Sequence, residues 1–228
     1  MIKLVDISKK YCSRFNSSEN LVLDEVNFTL RENEILALTG PSGCGKTTIA
    51  RLILGLEKPD KGSIFYKDVD LSKLNKRQFK PYRKKIQFIS QNPGSFFDPS
   101  IKLGKSIIEP LNNFKISVKS KESKIEELLD DLKLDSKILT RYPHQVSGGE
   151  IQRLSILRGL LLEPKVLVLD EVTSMLDISV QAQILSLLKE IKIKNHMSYL
   201  FISHDEEVVN LFADRIIRLD RGKIIKRI

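Results

Sequence analysis

Short apolar runs alternate along this chain with longer stretches in which apolar residues recur every three or four positions. That alternation predicts an α/β core with a largely parallel sheet. Ile2 to Val5 and Val26 to Leu30 are expected strands, with a polar surface turn at Asn16 to Asn20 between them. Ile35 to Thr39, Ile86 to Ser90, Val166 to Leu169 and Tyr199 to Ser203 are compact apolar runs of strand length, expected to be buried. A helix is predicted from Lys46 to about Leu54, stopped at Gly55 with Pro59 beyond.

The pattern changes between about Asn92 and Leu162. A turn-rich segment, Asn92 to Pro99, leads into helical periodicity, with Ile125, Leu128, Leu129 and Leu132 forming one stripe within Lys121 to Leu134. The expectation is one domain over 1–228 with a helical subdomain, 92–162, inserted into it. Arg215 to Leu219, a turn at Asp220 to Gly222, and Ile224-Ile225 predict a closing hairpin.

Composition narrows the class. With 228 residues, 41% hydrophobic and 29% charged, the chain is an ordinary globular domain, not a disordered tail or a fibre. Its two cysteines, Cys12 and Cys44, cannot form a disulfide framework and suggest a reducing compartment. No signal peptide is visible, and no apolar run approaches the ~18 residues of a membrane span, so a cytosolic chain is expected. The net charge is +9. Much of the excess lies in Lys73, Lys76, Arg77, Lys80, Arg83, Lys84 and Lys85, a run without an acid. Such a run faces phosphates of a nucleic acid, an anionic membrane, or only water.

Three segments carry chemistry. Gly40-Pro41-Ser42-Gly43-Cys44-Gly45-Lys46-Thr47 fits the phosphate-binding loop pattern, between a strand and a helix where that loop belongs. Glycines let backbone N–H groups wrap phosphate, and the helix start adds positive potential. Lys46 is expected to reach the β- and γ-phosphates, Thr47 to give its hydroxyl to Mg²⁺, and Thr48 to line the same loop. Val166 to Leu169 ends in Asp170-Glu171, placing two carboxylates at the sheet's carboxyl edge. There Asp170 is expected to hold Mg²⁺ and Glu171 to act as general base. Ser147-Gly148-Gly149-Glu150 opens a further helix, a start that suits either a simple cap or an anion contact. Cys44, beside loop N–H groups, is either a thiol of lowered pKa open to alkylation or a buried, inert one.

With these motifs in this order, the sequence resembles the ATP-binding cassette (ABC) ATPases, whose signature reads Leu-Ser-Gly-Gly-Gln. The resemblance spans essentially the whole chain. It implies a P-loop NTPase fold: a RecA-like core, an N-terminal antiparallel β subdomain and the inserted helical subdomain. It implies ATP and Mg²⁺ as ligands, with Ser147, Gly148 and Gly149 contacting the γ-phosphate held by an opposite cassette, and Glu150 in the same nucleotide site with its charge outside the phosphate contact itself. On the same footing Tyr11 stacks on adenine, and Gln91 touches Mg²⁺ or water and links to the transporter. Asp177, within Ser174 to Asp177, aligns the two sites across a dimer, and His204 contacts the γ-phosphate. Asp205 is expected to cap the next helix. Two positions depart from the family pattern: Val172 replaces a proline, and Glu150 replaces the signature glutamine.

The segment Gln91 to Pro99, with Arg141 to Gln145 and Leu176 to Gln183, resembles the ATPases of oligopeptide, dipeptide and nickel importers. That implies permease subunits, a second cassette (identical or different), an extracellular binding protein and a place at the cytoplasmic face of the membrane. Members of the class often carry a C-terminal extension; with the sequence ending at Ile228, none is expected. An exporter or another importer class, a non-hydrolysing regulatory cassette and a nucleic-acid-linked cassette are the alternatives. The last is disfavoured by the single cassette and the lack of zinc cysteines, so no nucleic-acid partner is expected.

Overall fold

The protein is described from a computed structural model covering residues 1–12 and 19–227. In chain order, β1 (Ile2–Cys12) and β2 (Glu19–Leu30) precede β3 (Ile35–Thr39), α1 (Lys46–Ile53), β4 (Lys61–Tyr66) and β5 (Val69–Asp70). Next come α2 (Lys76–Lys85), β6 (Ile86–Ile89), α3 (Leu103–Asn113), α4 (Glu122–Asp131) and α5 (Gly148–Leu160). The chain continues through β7 (Val166–Asp170), α6 (Ile178–Asn195), β8 (Ser198–Ile202) and α7 (Glu206–Phe212) to the hairpin β9 (Arg215–Asp220) and β10 (Lys223–Arg227).

A six-stranded sheet runs in the order β10-β9-β3-β8-β7-β6, parallel throughout except at β10–β9. Its three central strands, β3, β7 and β8, are buried at every position, which explains their unbroken apolar sequences. Alternate residues face two separate cores. Ile35, Ala37, Leu167, Leu169, Tyr199 and Phe201 pack with α3, α4 and α5 on one side. On the other side, Leu36, Leu38, Val166, Val168, Leu200 and Ile202 pack with α1 and with the second sheet, ordered β2-β1-β4-β5 and fully antiparallel.

Several expectations need adjustment. The first strand continues past Val5 to Cys12, and the second starts at Glu19. Of the turn expected at Asn16 to Asn20, residues 16–18 lie outside the described residues. Glu19 and Asn20 are already paired with Cys12 and Tyr11. Strand β2 hides its length because its first three positions are exposed and polar or half-apolar, so no buried face announces it. The basic run is largely helix α2, opened by a reciprocal capping box between Asn75 and Gln78 and anchored by buried Phe79. The helix expected to Leu134 stops at Asp131. Lys133 adopts φ 54°, and Leu134 N–H donates back to Leu129 O at 2.9 Å, a left-handed close that keeps Leu132 and Leu134 buried.

Candidate nucleotide site

Sheet register brings the chemistry to one edge. Leu38, Ile202 and Asp170 lie in a single cross-strand row, and Leu169 pairs with Ile89 one strand further on. The segments leaving these strands are therefore neighbours: the Gly40 loop, Asp170-Glu171, Ser203-His204 and Ser90-Gln91. This is the carboxyl edge of a parallel sheet, where α/β folds hold ligands.

The loop between β3 and α1 is tightly fixed. Gly40 adopts φ 145°, and a Cβ there would lie 2.0 Å from Leu219 O; Gly45 (φ 111°) precedes α1, its Cβ position 2.6 Å from Leu23 Cδ2. Neither place admits a side chain. Lys46 is 7% exposed, and its ammonium donates to Gly40 O (2.7 Å) and Pro41 O (2.8 Å). Pro41, Ser42 and Gly43 are exposed, as is Thr47, whereas Thr48 is buried. The Thr47 hydroxyl donates to Asp170 Oδ2 at 3.3 Å.

At Cys44 the structure favours the second of the two readings. Its thiol is buried, and burial pushes its pKa up; the Lys46 charge works in the other direction but is the smaller effect. A buried, protonated thiol is a poor nucleophile.

Asp170 is 9% exposed, and its carboxyl pKa is raised, first by burial and next by the charge of Glu171. Glu171 sits at φ 49°, an unusual backbone for a non-glycine residue, with its N–H donating to Ile202 O at 2.9 Å. That conformation turns its carboxylate toward two predicted partners. Gln91 Nε2 donates to Glu171 Oε2 (2.9 Å), and His204 Nδ1 lies 3.0 Å from Glu171 Oε1. Gln91 also donates to Ser174 Oγ at 3.3 Å, and the Ser174 hydroxyl donates to the Glu171 carbonyl at 3.0 Å. Sequence reasoning missed this part for Ser174: the residues are 83 apart, and no local pattern links them.

The remaining candidates lie elsewhere. Tyr11 is half-buried; its hydroxyl donates to the Glu57 carboxylate, and the Lys9 ammonium stands 5.6 Å from its ring centroid. Burial, then the Glu57 bond, raises the Tyr11 pKa. Ser147 caps α5 in a box with Glu150, whose carboxylate accepts from Ser147 N–H (2.8 Å) and Ser147 Oγ–H (2.9 Å). Those bonds hold the Glu150 pKa down, the backbone N–H contributing most. Gly148 faces open space, while Gly149 approaches Val180. Asp177 is exposed at the start of α6, between Met175 (69% exposed) and Ile178 (86%). Asp205 caps α7 through Glu207 N–H and Val208 N–H, as expected. Val172, in place of the family proline, is buried in the core shared with the helices.

A divalent cation fits this donor set sparingly. Among the described residues no three His, Cys, Asp or Glu side chains are placed to hold a metal ion together. The Thr47 hydroxyl and Asp170 carboxylate offer two hard oxygens side by side, which suits Mg²⁺ completing its shell from phosphate and water.

Comparison with known proteins agrees with the geometry. Residues 23–174 match the ABC transporter family. The dipeptide transport ATP-binding protein DppF of Haemophilus influenzae is 40% identical over 206 residues, 90% of this chain, which spans 63% of that relative's length. The nickel import ATP-binding protein NikE of Shigella dysenteriae is 37% identical, covering 99% of this chain and 86% of its own. The oligopeptide transport ATP-binding protein OppF of Streptococcus mutans is 40% identical over 98% of this chain and 74% of its own. Among solved structures, the dimeric post-hydrolysis cassette MJ0796 bound to ADP and Pi superposes with a TM-score of 0.88 at 28% identity, covering 100% of this chain and 98% of the other. Matched over residues 23–174 and against relatives of 37–40% identity, the chain belongs to the ATPase cassettes of the ABC transporter family.

Proposed function

We propose that this chain powers an importer of peptides or of nickel and other metal chelates from the cytoplasmic face of the membrane. The observation that carries the chemistry is the convergence of Gln91 and His204 on Glu171, one residue beyond buried Asp170 and beside the phosphate loop. The import class is supported by the names of the similar ATPases and by the segments following Gln91 and Leu176.

ATP enters with its phosphates against the Gly40–Thr47 backbone, and Lys46 exchanges its loop carbonyls for phosphate oxygens. Tyr11 supports the adenine. Thr47 and Asp170 would hold Mg²⁺, which would supply positive charge to the phosphates. Glu171 takes the proton of the attacking water, held at its working angle by Gln91; His204 donates toward the γ-phosphate. The water oxygen forms a bond to the γ-phosphorus as the bond to the ADP oxygen breaks, releasing phosphate.

The opposite cassette supplies its own Ser147-Gly148-Gly149 turn across the γ-phosphate, or the matching turn of a different ATPase. For that contact Ser147 must release the proton it now gives Glu150. Exposed Met175 and Ile178 flank Asp177 on a face suited to being covered by that partner. Segment 92–162 acts as the subdomain that carries the motion outward. A groove of about 320 Å³ between it and the sheet, where Leu56 and Phe96 are exposed, receives the permease. Cargo is chosen by the permeases and an external binding protein. The test is ATP turnover and dimerisation of Glu171→Gln, together with affinity capture of the tagged chain from solubilised membranes. Trapped dimers and co-captured permeases are the expected results; unchanged turnover removes Glu171 from its role, and capture without permeases removes the transporter assignment.

A further inference from the structure

Helix α2 carries a charge pattern that neither the nucleotide site nor the groove uses. Lys76, Lys80 and Lys84 recur at four-residue intervals and Arg77 adjoins them, so all four share one side of a ten-residue helix. All four are exposed. Among the described residues none of them has a direct ion-pair partner; Lys80 Nζ stands 5.6 Å from the Phe114 ring centroid, nearby Asp70 is bonded to Lys73 and Ser63, and Glu163, within electrostatic reach of Lys84, is bonded to Lys121. The other side of the helix is fixed in place. Phe79 is buried, Tyr82 meets Tyr66 edge-on at 5.8 Å, and Lys85 and Arg83 stand over aromatic rings. The stripe is thus presented rigidly, its direction set by an aromatic anchor. Its C-terminal end runs into the groove that Arg83, Gln87, Leu56 and Phe96 line.

We propose that this stripe binds anionic lipid headgroups, holding the cassette flat beneath the bilayer beside its permease groove. This goes beyond the transporter reading, which needs no contact between this chain and lipid. Charge complementarity favours it: four exposed cations within about 15 Å, none in a direct ion pair among the described residues, match the spacing and sign of a headgroup surface. A single-stranded nucleic acid is less suited, because binding it calls for exposed aromatic platforms and the aromatics of α2 are turned inward.

The test is co-sedimentation of the intact chain with phosphatidylglycerol–phosphatidylcholine vesicles and with pure phosphatidylcholine vesicles, across a salt series. Preference for the anionic vesicles is expected, falling with salt. Each cation at an anionic surface contributes roughly fivefold to binding, so K76Q/K80Q/K84Q is expected to weaken it about a hundredfold. A control, K105Q/K119Q/K137Q, removes the same charge from exposed positions elsewhere and is expected to weaken it far less. ATP binding, measured in the same samples, reports that each variant is folded and is expected to stay unchanged; K76Q/R77Q serves if the triple variant does not fold. Equal losses in the two triple variants, no preference for anionic vesicles, or a loss confined to DNA and RNA binding would overturn the proposal. ATP binding lost in the wild type as well would sink the nucleotide-site reading instead.

Discussion

Two turns in this chain open helices suited to anions, and they are built in opposite ways. In Gly40–Thr47 the backbone is clamped at Gly40 and Gly45 against Leu219 and Leu23, its tip from Pro41 to Gly43 is open, and Lys46 is nearly buried. In Ser147–Glu150 the turn stands exposed, one glycine faces open space, and the serine hydroxyl is satisfied by its own neighbour. The first is a finished receptor. The second is a plug, complete in itself until something outside competes for the Ser147 proton. On the proposed function, two chains hold a nucleotide between them, one offering each turn, and the asymmetry of construction suits that division.

Mutations test the contrast most strongly on the receptor side. Glu171→Gln is expected to lower ATP hydrolysis by about 10²–10⁴, the usual contribution of a general base, with ATP binding retained and the closed dimer accumulating. Single-turnover kinetics beside gel filtration checks both. Lys46→Ala is expected to cost ATP affinity on the order of a hundredfold, seen by titration with a fluorescent nucleotide. Affinity unchanged by that substitution would break the comparison at its root. Gly40→Ala is expected to destabilise by about 3 kcal/mol in urea, because the Cβ meets backbone rather than a movable side chain.

Asp170→Asn separates binding from stability. Burial raises the Asp170 pKa above its unfolded value, so the folded chain holds this proton more tightly than the unfolded one. Its contribution to stability is therefore greatest below the ordinary carboxylate range, about pH 4, and is lost as pH rises through the raised value. Without nucleotide, the variant is expected to melt with wild type in acid and above it at neutrality. Added Mg-ATP is expected to reverse that order by stabilising only the wild type. Melting curves that stay parallel across pH would show Asp170 to be ionised without cost.

The smallest effect is expected on the plug. Glu150→Gln removes a charge from the capping box and leaves a weaker neutral acceptor for Ser147, so in a Glu171→Gln background the dimer is expected to form at several-fold lower ATP. Nucleotide affinity of the isolated chain is expected not to move. A change there would mean that the two turns meet within one chain.

Much of this was legible in the sequence because it is local. A phosphate loop is contiguous, and a strand buried on both faces spells itself in apolar letters, as β3, β7 and β8 do. Antiparallel β4 and β5 were not legible: they are short, and most of their positions are half-buried or exposed. Helix α2 was masked by its own charge, since one buried phenylalanine and a partly buried tyrosine form its whole apolar face. At the site, Gln91, Glu171 and His204 were each nameable, but Ser174 joins them only through the register of strands β6 and β7. The direction of the Cys44 pKa was out of reach because it depends on how much water is excluded, which adjacency to Lys46 does not reveal.

The alternation of the central strands has a consequence for inheritance. A single step along β7, from Leu167 to Val168, changes which half of the molecule a substitution disturbs. Truncation at odd-numbered positions of that strand loosens the layer beneath the helices of 92–162; truncation at even ones loosens the layer beneath the phosphate loop. Substitutions inherited at neighbouring positions of this five-residue strand therefore disturb different layers: those at Leu167 and Leu169 the packing against segment 92–162, those at Val166 and Val168 the packing against α1 and the second sheet.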